Sequence, residues 1–431
     1  MTIGLYGFIL LFVLILFFRI PIGFAMILVG VSGMAYLTSP VSAISFLGHQ
    51  VFATAASYDM AMVAMFILMG ELAFVTGIGE RAYGSLLRIL GRIRGSLAMA
   101  TIGGCAAFAA VCGSSPATAA TIGSIALPEM RRYGYDDALA TGAVAAGGTL
   151  GILIPPSLGF ILFGILTEQS IAKLYLAGIL PGILLALLFM SVAYVYALFR
   201  RPACLAEPTT IGEKIASLKG LLDVIVLFLV VVGGMGLGLF TPTAAGAVGT
   251  GGVLLIACMR RRVTLQRLME ALEHTISTVG MIVMIFVGAM AFNYFLAATT
   301  LPFRLGGAIA GLPIPRMATI VCILLVWLAL GCVMDAIGMI VLTLPIVYPI
   351  VLSLGFDPIW FSVLGVIMVE AGLVTPPVGM NLYVISGIAR DVPIGTIFRG
   401  VIPYVAAILV CVFLLVLFPE IALFLPEAVR R

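Results

Sequence analysis

A chain of 431 residues that is 63% hydrophobic and 9% charged, with a mean hydropathy of +1.28, has too little polar surface to coat a water-soluble globule. Its net charge of +4 says little as a total, because in a bilayer it is the placement of Lys and Arg that sets orientation. A soluble enzyme and a nucleic-acid-binding domain are excluded, and an all-α integral membrane protein is left.

Apolar runs of the length a crossing helix needs, about 20 residues, follow one another from end to end with no soluble domain between them. The first, 3–18, has no basic residues ahead of it and no small-residue cleavage pattern behind, so it reads as a retained helix rather than a secretory signal. Spans at 20–37 and 60–77 follow, then an arginine-bearing amphipathic stretch at 78–96. The run 97–130 is too long for one crossing and is interrupted at Cys112-Gly113-Ser114-Ser115-Pro116, with Arg88, Arg92 and Arg94 before it and Arg131 and Arg132 after it. Arginine-rich flanks stay cytoplasmic, so this run is expected to enter and leave by one face as a re-entrant hairpin. A run at 138–168, broken at Pro155-Pro156, and a span at 174–199 come next. Spans at 222–240, 243–259 and 275–297 then precede a second interrupted run, 317–352, a second Pro-Pro break in 359–388, and a last span at 400–418. The stretches 78–96 and 263–274 read either as helices flat on the cytoplasmic surface, bracing a fixed part against a moving one, or as solvated connections.

With both hairpins non-crossing, 17 of the 22 basic residues fall in the cytoplasm. Lys173, Arg304, Arg316, Arg430 and Arg431 fall outside, and both termini are expected to be external. The 37–58 connection, also placed outside, has no Lys or Arg. The seven cysteines lie mostly inside apolar runs without paired ligand spacing, which argues against disulfides and zinc.

Tyr133 to Pro156 and Leu354 to Pro377 align when shifted by 221 positions, pairing Gly134 with Gly355, Asp136 with Asp357, Gly151 with Gly372 and the two Pro-Pro pairs with each other. Each half then holds three spans, a hairpin, a broken span and a final span. Five crossings per half is an odd number, so the second half is inverted. Inverted repeats with interrupted helices in matching places point to a secondary transporter with its site near the midplane.

The tip Gly113-Ser114-Ser115-Pro116-Ala117-Thr118 sets hydroxyls and proline-freed carbonyls inside an apolar hairpin. Irregular backbone at that depth is tolerated only when buried in protein or lining a wet cavity. Such oxygens suit a hard monovalent cation, and the amides opening the second limb favour an anion; the plainer alternative is a small-residue helix contact. For Ile154-Pro155-Pro156-Ser157-Leu158-Gly159 the alternative is a simple kink. Asp335 in the second tip pairs with Thr375-Pro376-Pro377-Val378-Gly379-Met380-Asn381 in the second break. An intramembrane carboxylate is a functional candidate, and Asp335 also fits as an N-cap of the half-helix 336–352. Glu71 reads as a structural partner of a nearby arginine, Glu370 is balanced between structure and site, and Asp223, near a span end, needs only to snorkel. No G-x-x-x-x-G-K-[ST] or H-E-x-x-H occurs, and His49 and His274 lie outside the apolar cores. Serine-protease chemistry at Ser114 and Ser115 therefore has no base.

The Gly113-to-Thr118 tip, the Pro155-Pro156-Ser157 break, the Asp335-Ala336-Ile337-Gly338 tip and the Thr375-Pro376-Pro377-Val378-Gly379 break together resemble the large membrane subunit of tripartite ATP-independent periplasmic (TRAP) transporters, over essentially the full chain. The resemblance implies an ion-transporter-superfamily fold of two inverted repeats, with three scaffold helices per half and a transport domain that moves as an elevator. Residues 1–96 and 222–316 would be scaffold with its amphipathic arms, 97–199 and 317–418 transport-domain elements, 200–221 a cytoplasmic connector and 419–431 a tail. It implies import of a carboxylate coupled to Na+, without ATP. One Na+ would lie among Ser114, Ser115, Thr118, Pro155 and Ser157, and a second among Gly331, Asp335, Thr375, Pro377 and Gly379. Ser115, Pro116, Pro156 and Asn381 would face substrate. A separate four-helix membrane subunit, a periplasmic solute-binding protein and a bacterial or archaeal inner-membrane location are implied too. The alternative is a stand-alone sodium/dicarboxylate or related symporter of the same superfamily.

Overall fold

The computed structural model describes residues 2–91, 93–200, 211–302, 304, 307 and 313–429, with helices and no strand among them. Arg92, Arg201, Arg430, Arg431 and residues 201–210 of the expected connector lie outside the described residues. In the first half, α1 (Thr2–Leu16), α2 (Ile22–Leu37), α3 (Pro40–Ala55) and α4 (Tyr58–Val75) lead into α5 (Ile78–Leu90). The first hairpin is α6 (Ser96–Cys112) and α7 (Ser115–Arg132); the broken helix is α8 (Asp137–Leu153) and α9 (Leu158–Thr167); and α10 (Ile171–Arg200) closes the repeat.

In the second half α11 (Ile211–Phe228) runs through a π turn at Leu229–Gly233 into Gly234–Gly236, followed by α12 (Pro242–Met259) and α13 (Leu265–Ala298). The second hairpin is α14 (Arg316–Gly331) and α15 (Ala336–Ser353), the second broken helix α16 (Pro358–Leu373) and α17 (Met380–Ile388), and α18 (Ile394–Leu417) and α19 (Glu420–Ala428) end the fold. Among the described residues, eight helices are long and apolar enough to cross a bilayer.

Three segments depart from expectation. The 37–58 connection contains α3, which starts because Ser39 accepts from the Ser42 amide at 3.1 Å and Pro40 fits the first helical position. The stretch 263–274 is not a separate arm, because α13 continues through it for 34 residues. The 419–431 tail folds over Glu420–Ala428 and packs on α10.

The inversion is visible in reciprocal packing. The second scaffold helix of each half packs on the third of the other, α2 on α13 and α12 on α4. The short piece of each broken helix packs on the outgoing limb of the opposite hairpin, α9 on α15 and α17 on α7. The long piece of each packs on the closing helix of the other half, α8 on α18 and α16 on α10. These three contact types repeat across the halves, each helix meeting the counterpart of its twin's partner, whereas the contacts of α5 with α11 and of α19 with α10 have no such twin among the described residues.

Side-chain ties reinforce these contacts at the arginine-rich end. The arm α5 lies between α6 and α11, with Arg81 bonded to Asp223 at 3.1 Å and Arg260 to the same carboxylate at 2.8 Å. Asp223 is therefore held between two guanidiniums rather than snorkelling alone. Arg131 joins Asp137 at 2.9 Å and Asp391 at 3.0 Å, tying the first hairpin to the loop before α18. The hydrogen bond from Arg131 holds the exposed Asp391 carboxyl below its usual range, so this tie is present at neutral pH and is lost as the pH falls through that depressed value. Replacing Asp223 leaves Arg81 and Arg260 facing each other in a partly buried site. Asp223→Ala is expected to cost about 2 kcal/mol of stability after allowance for solvent screening, read as a lower melting temperature of the detergent-solubilised protein; an unchanged melt would remove the triad from the account.

Candidate functional site

Both hairpins reach the break of their own half through backbone. At the first tip α6 ends on Gly113, whose φ of +69° is a conformation glycine adopts without penalty. Its carbonyl accepts from the Leu158 amide, the first after the break, at 3.4 Å. At the second tip the Cys332 carbonyl accepts from the Gly379 amide at 3.2 Å. Leu158 and Gly379 are 221 positions apart, the register of the internal repeat. The N-caps Ser114 and Asp335 keep the same shift. The second tip is longer, because Cys332, Val333 and Met334 lie between the end of α14 and the N-cap of α15, where Gly113 alone lies between α6 and the N-cap of α7.

Two glycines make this approach possible. A methyl at Gly151 would sit 2.5 Å from the Ser114 carbonyl oxygen and 2.8 Å from Thr118 Oγ1. A methyl at Gly372 would sit 2.5 Å from the Gly331 Cα. These are matched positions of the repeat, and each is where a hairpin tip seats on a long helix. Both Pro155-Pro156 and Pro376-Pro377 peptides are cis.

The structure brings Ser114 and Thr118 of the first set together at Gly151, and sets the break that carries Ser157, with Pro156 of the substrate-facing set, against Gly113. Thr118 Oγ1 donates to the Ser114 carbonyl at 2.7 Å. Ser157 caps α9 by accepting from the Phe160 amide at 3.3 Å, and its hydroxyl donates to the Ile152 carbonyl. Pro155 is buried in the same break. Ser115, at the same tip, gives its proton across the interface: its hydroxyl donates to Glu370 Oε2 of α16 at 2.7 Å. Pro116 opens α7 beside it.

In the second set Gly331 of the tip lies against Gly372 of the long helix, and Gly379 of the break meets the tip through the Cys332 carbonyl. Thr375 Oγ1 donates to its own helix at the Ala371 carbonyl, 2.6 Å away. Pro377 is exposed, as is most of this break, whereas the first break is buried. Asp335 accepts from the Gly338 amide at 2.9 Å, the N-cap geometry. It also lines a half-open cavity of about 600 Å3 with Arg19, Ile22, Gly23, Met281 and Met284 of the first three-helix sets. At the other tip Cys112, Ser114 and Ala117 share a cavity of about 70 Å3 with Gly70, Glu71 and Thr278. Glu71 pairs with His274 at 3.5 Å rather than with an arginine. Asn381 is fully buried, and its two amide atoms have no partner among the described residues.

The carbonyls of Gly113 and Cys332 and the seats Gly151 and Gly372 are the parts that residue-type reasoning left out of the site. The 221-position register was the signal that pointed at the glycines.

The family description "Tripartite ATP-independent periplasmic transporter, DctM component" matches residues 8–421. The chain belongs to this family. It is 34% identical over 392 residues to the C4-dicarboxylate TRAP transporter large permease protein DctM of Pseudomonas aeruginosa, covering 91% of each chain. It is 30% identical over 414 residues to the sialic acid TRAP transporter large permease protein SiaM of Vibrio cholerae, covering 96% of each. A crystal structure of the Alcanivorax borkumensis YdaH transporter superimposes with a TM-score of 0.58 at 15% identity, over 89% of each chain, which speaks to the fold alone. A TRAP large permease is a transporter subunit, not an enzyme, so the hydroxyls at the tips are binding or structural groups rather than nucleophiles.

The seating of the tips gives a direct test in this permease. Gly151→Ala and Gly372→Ala force overlap with backbone and should each cost about 1–3 kcal/mol together with solute uptake. Gly395→Ala, with nothing within 4 Å of the added methyl, should be neutral. Melting temperature and uptake of the reconstituted transporter read both effects, and a fully active Gly151→Ala would show that the tip does not need this seat.

Proposed function

We propose that this TRAP permease imports a small organic acid together with Na+, receives it from a periplasmic solute-binding protein, and works with a four-helix membrane subunit. The observation that carries the reading is the matched pair of tip-to-break hydrogen bonds, Gly113 to Leu158 and Cys332 to Gly379. Unwound carbonyls and hydroxyls held at matching places in two inverted halves are a suitable cradle for Na+. The first cradle takes Ser114, Ser115, Thr118, Pro155 and Ser157, the second Gly331, Asp335, Thr375, Pro377 and Gly379. The crowding of the Ser114 carbonyl and Thr118 hydroxyl around Gly151 fits such a donor set.

The relatives named for C4-dicarboxylate and sialic acid support a carboxylate as cargo. Amide donors opening α7, and the unpartnered Asn381 amide, are suitable groups for it, with Pro116 and Pro156 alongside. The cavities at both tips lie between these elements and the three-helix sets, which supports an elevator in which hairpins and broken helices slide as a unit. The clustering of arginines at the α5 end supports external termini in a bacterial or archaeal inner membrane. Each net positive charge entering adds about 2.3 kcal/mol per 100 mV, so more than one Na+ per carboxylate makes import electrogenic.

The test is uptake of candidate acids into proteoliposomes holding the permease, the small subunit and the binding protein. Uptake is expected only with all three and an inward Na+ gradient. Transport by the permease alone would favour the stand-alone symporter, and indifference to Na+ would sink the coupling. Asp335→Asn separates the two roles of that side chain, since asparagine caps a helix as well as aspartate does. The variant is expected to keep its melting temperature while the half-saturating Na+ concentration rises about tenfold, the equivalent of 1.4 kcal/mol; unaltered Na+ dependence would leave Asp335 a cap and nothing more.

A further inference from the structure

The hydrogen bond between Ser115 and Glu370 joins residues 255 positions apart, one in the first hairpin tip and one in the long helix of the second repeat. Ser115 is 0% exposed and Glu370 1%. Glu370 Oε1 has no hydrogen-bond partner among the described residues. Other buried hydroxyls near the tips give their proton to the carbonyl four residues back in their own helix, as Thr118, Thr121 and Thr343 do. Ser115 sends its proton across the interface instead.

The internal repeat shows that the fold does not require this pair. With the 221-position shift the counterparts are Ala336 and Thr149. Alanine has no hydroxyl, and Thr149 bonds back to the Ala146 carbonyl at 2.6 Å. The polar tie therefore exists on one side of the pseudo-two-fold only, at the tip whose break is buried.

A serine hydroxyl has one proton and two lone pairs. Whatever takes the proton decides where the lone pairs point, and only lone pairs can bind a cation. Groups that orient a metal's ligands in this way typically affect affinity tenfold or more. We infer that Glu370 is the positioning residue of the first cation site, accepting the Ser115 proton so that the lone pairs of Oγ face the space between tip and break. This rests on the reading of Ser115 as a Na+ ligand. Glu370 acts through the serine, and its partner is a monovalent alkali cation.

The experiment uses the full-length permease in two formats: reconstituted with its two partners for uptake, and purified in detergent for the rise of melting temperature with added NaCl. Glu370→Leu removes the acceptor at similar volume, Glu370→Gln keeps an acceptor oxygen, and Ser115→Ala removes the ligand. Glu370→Leu is expected to raise the half-saturating Na+ concentration about tenfold with little change in maximal rate, and Glu370→Gln to stay within about threefold of the parent. Adding Glu370→Leu to Ser115→Ala should produce no further shift. The Na+-dependent melting response should shrink in step with the uptake result, giving a binding readout independent of transport.

A purely structural tie would lower melting temperature and leave the Na+ dependence where it was, and that result overturns the inference while the Ser115→Ala shift persists. An additive double variant overturns it as well. If Glu370→Leu does not accumulate, Glu370→Gln decides: loss of the Na+ response as deep as that of Ser115→Ala defeats the acceptor role. A Ser115→Ala protein with unaltered Na+ dependence defeats the ligand reading itself, and the positioning role with it.

Discussion

Backbone amides and carbonyls cannot be left bare in hydrocarbon, where an unmet group costs several kcal/mol. Four interruptions in this chain release such groups, two at hairpin tips and two at Pro-Pro breaks, and the fold pairs each tip with the break of its own half. The Gly113 and Cys332 carbonyls meet the Leu158 and Gly379 amides. That pairing demands close approach, which in turn demands glycine at 151 and 372. Much of the central architecture follows, because seating both tips places α8 and α16 side by side at the middle of the molecule.

The symmetry is one of backbone, and side chains break it. The first break is buried and the second is largely exposed; the second tip is longer; and the carboxylate that caps a hairpin limb at Asp335 is matched by a serine, Ser114, whose side chain makes no cap hydrogen bond. Matched backbone thus carries two chemically distinct tips. The first is built of hydroxyls and carbonyls under Glu370, and the second has a carboxylate of its own facing a roomier cavity.

Much of this was legible before any coordinates. Gly and Pro clusters interrupt hydrophobic runs at 112–116, 155–156, 331–338 and 376–377, and because lipid tolerates little irregular backbone such punctuation marks real breaks. The internal register exposed the glycine seats for the same reason. What stayed hidden was of two kinds. Helix α3, with serines, histidine and glutamine among its apolar residues, lacks the continuous hydrophobicity that marks a span. Pairings between distant residues leave no trace in one sequence: Arg81 with Asp223, Glu71 with His274 and Ser115 with Glu370 are separated by most of a repeat or more. The Glu71 expectation missed because depth along a helix, read to a few residues, does not select between an arginine and a histidine.

Helix α13 sets a further condition. Its 34 residues run without a break, so it is a rod of about 51 Å, and it borders both cavities, through Thr278 at one tip and Gly280, Met281 and Met284 at the other. A single stiff rail therefore borders both tips. The walls of the two chambers therefore share one element, and a change in the tilt of that rail would reach both of them.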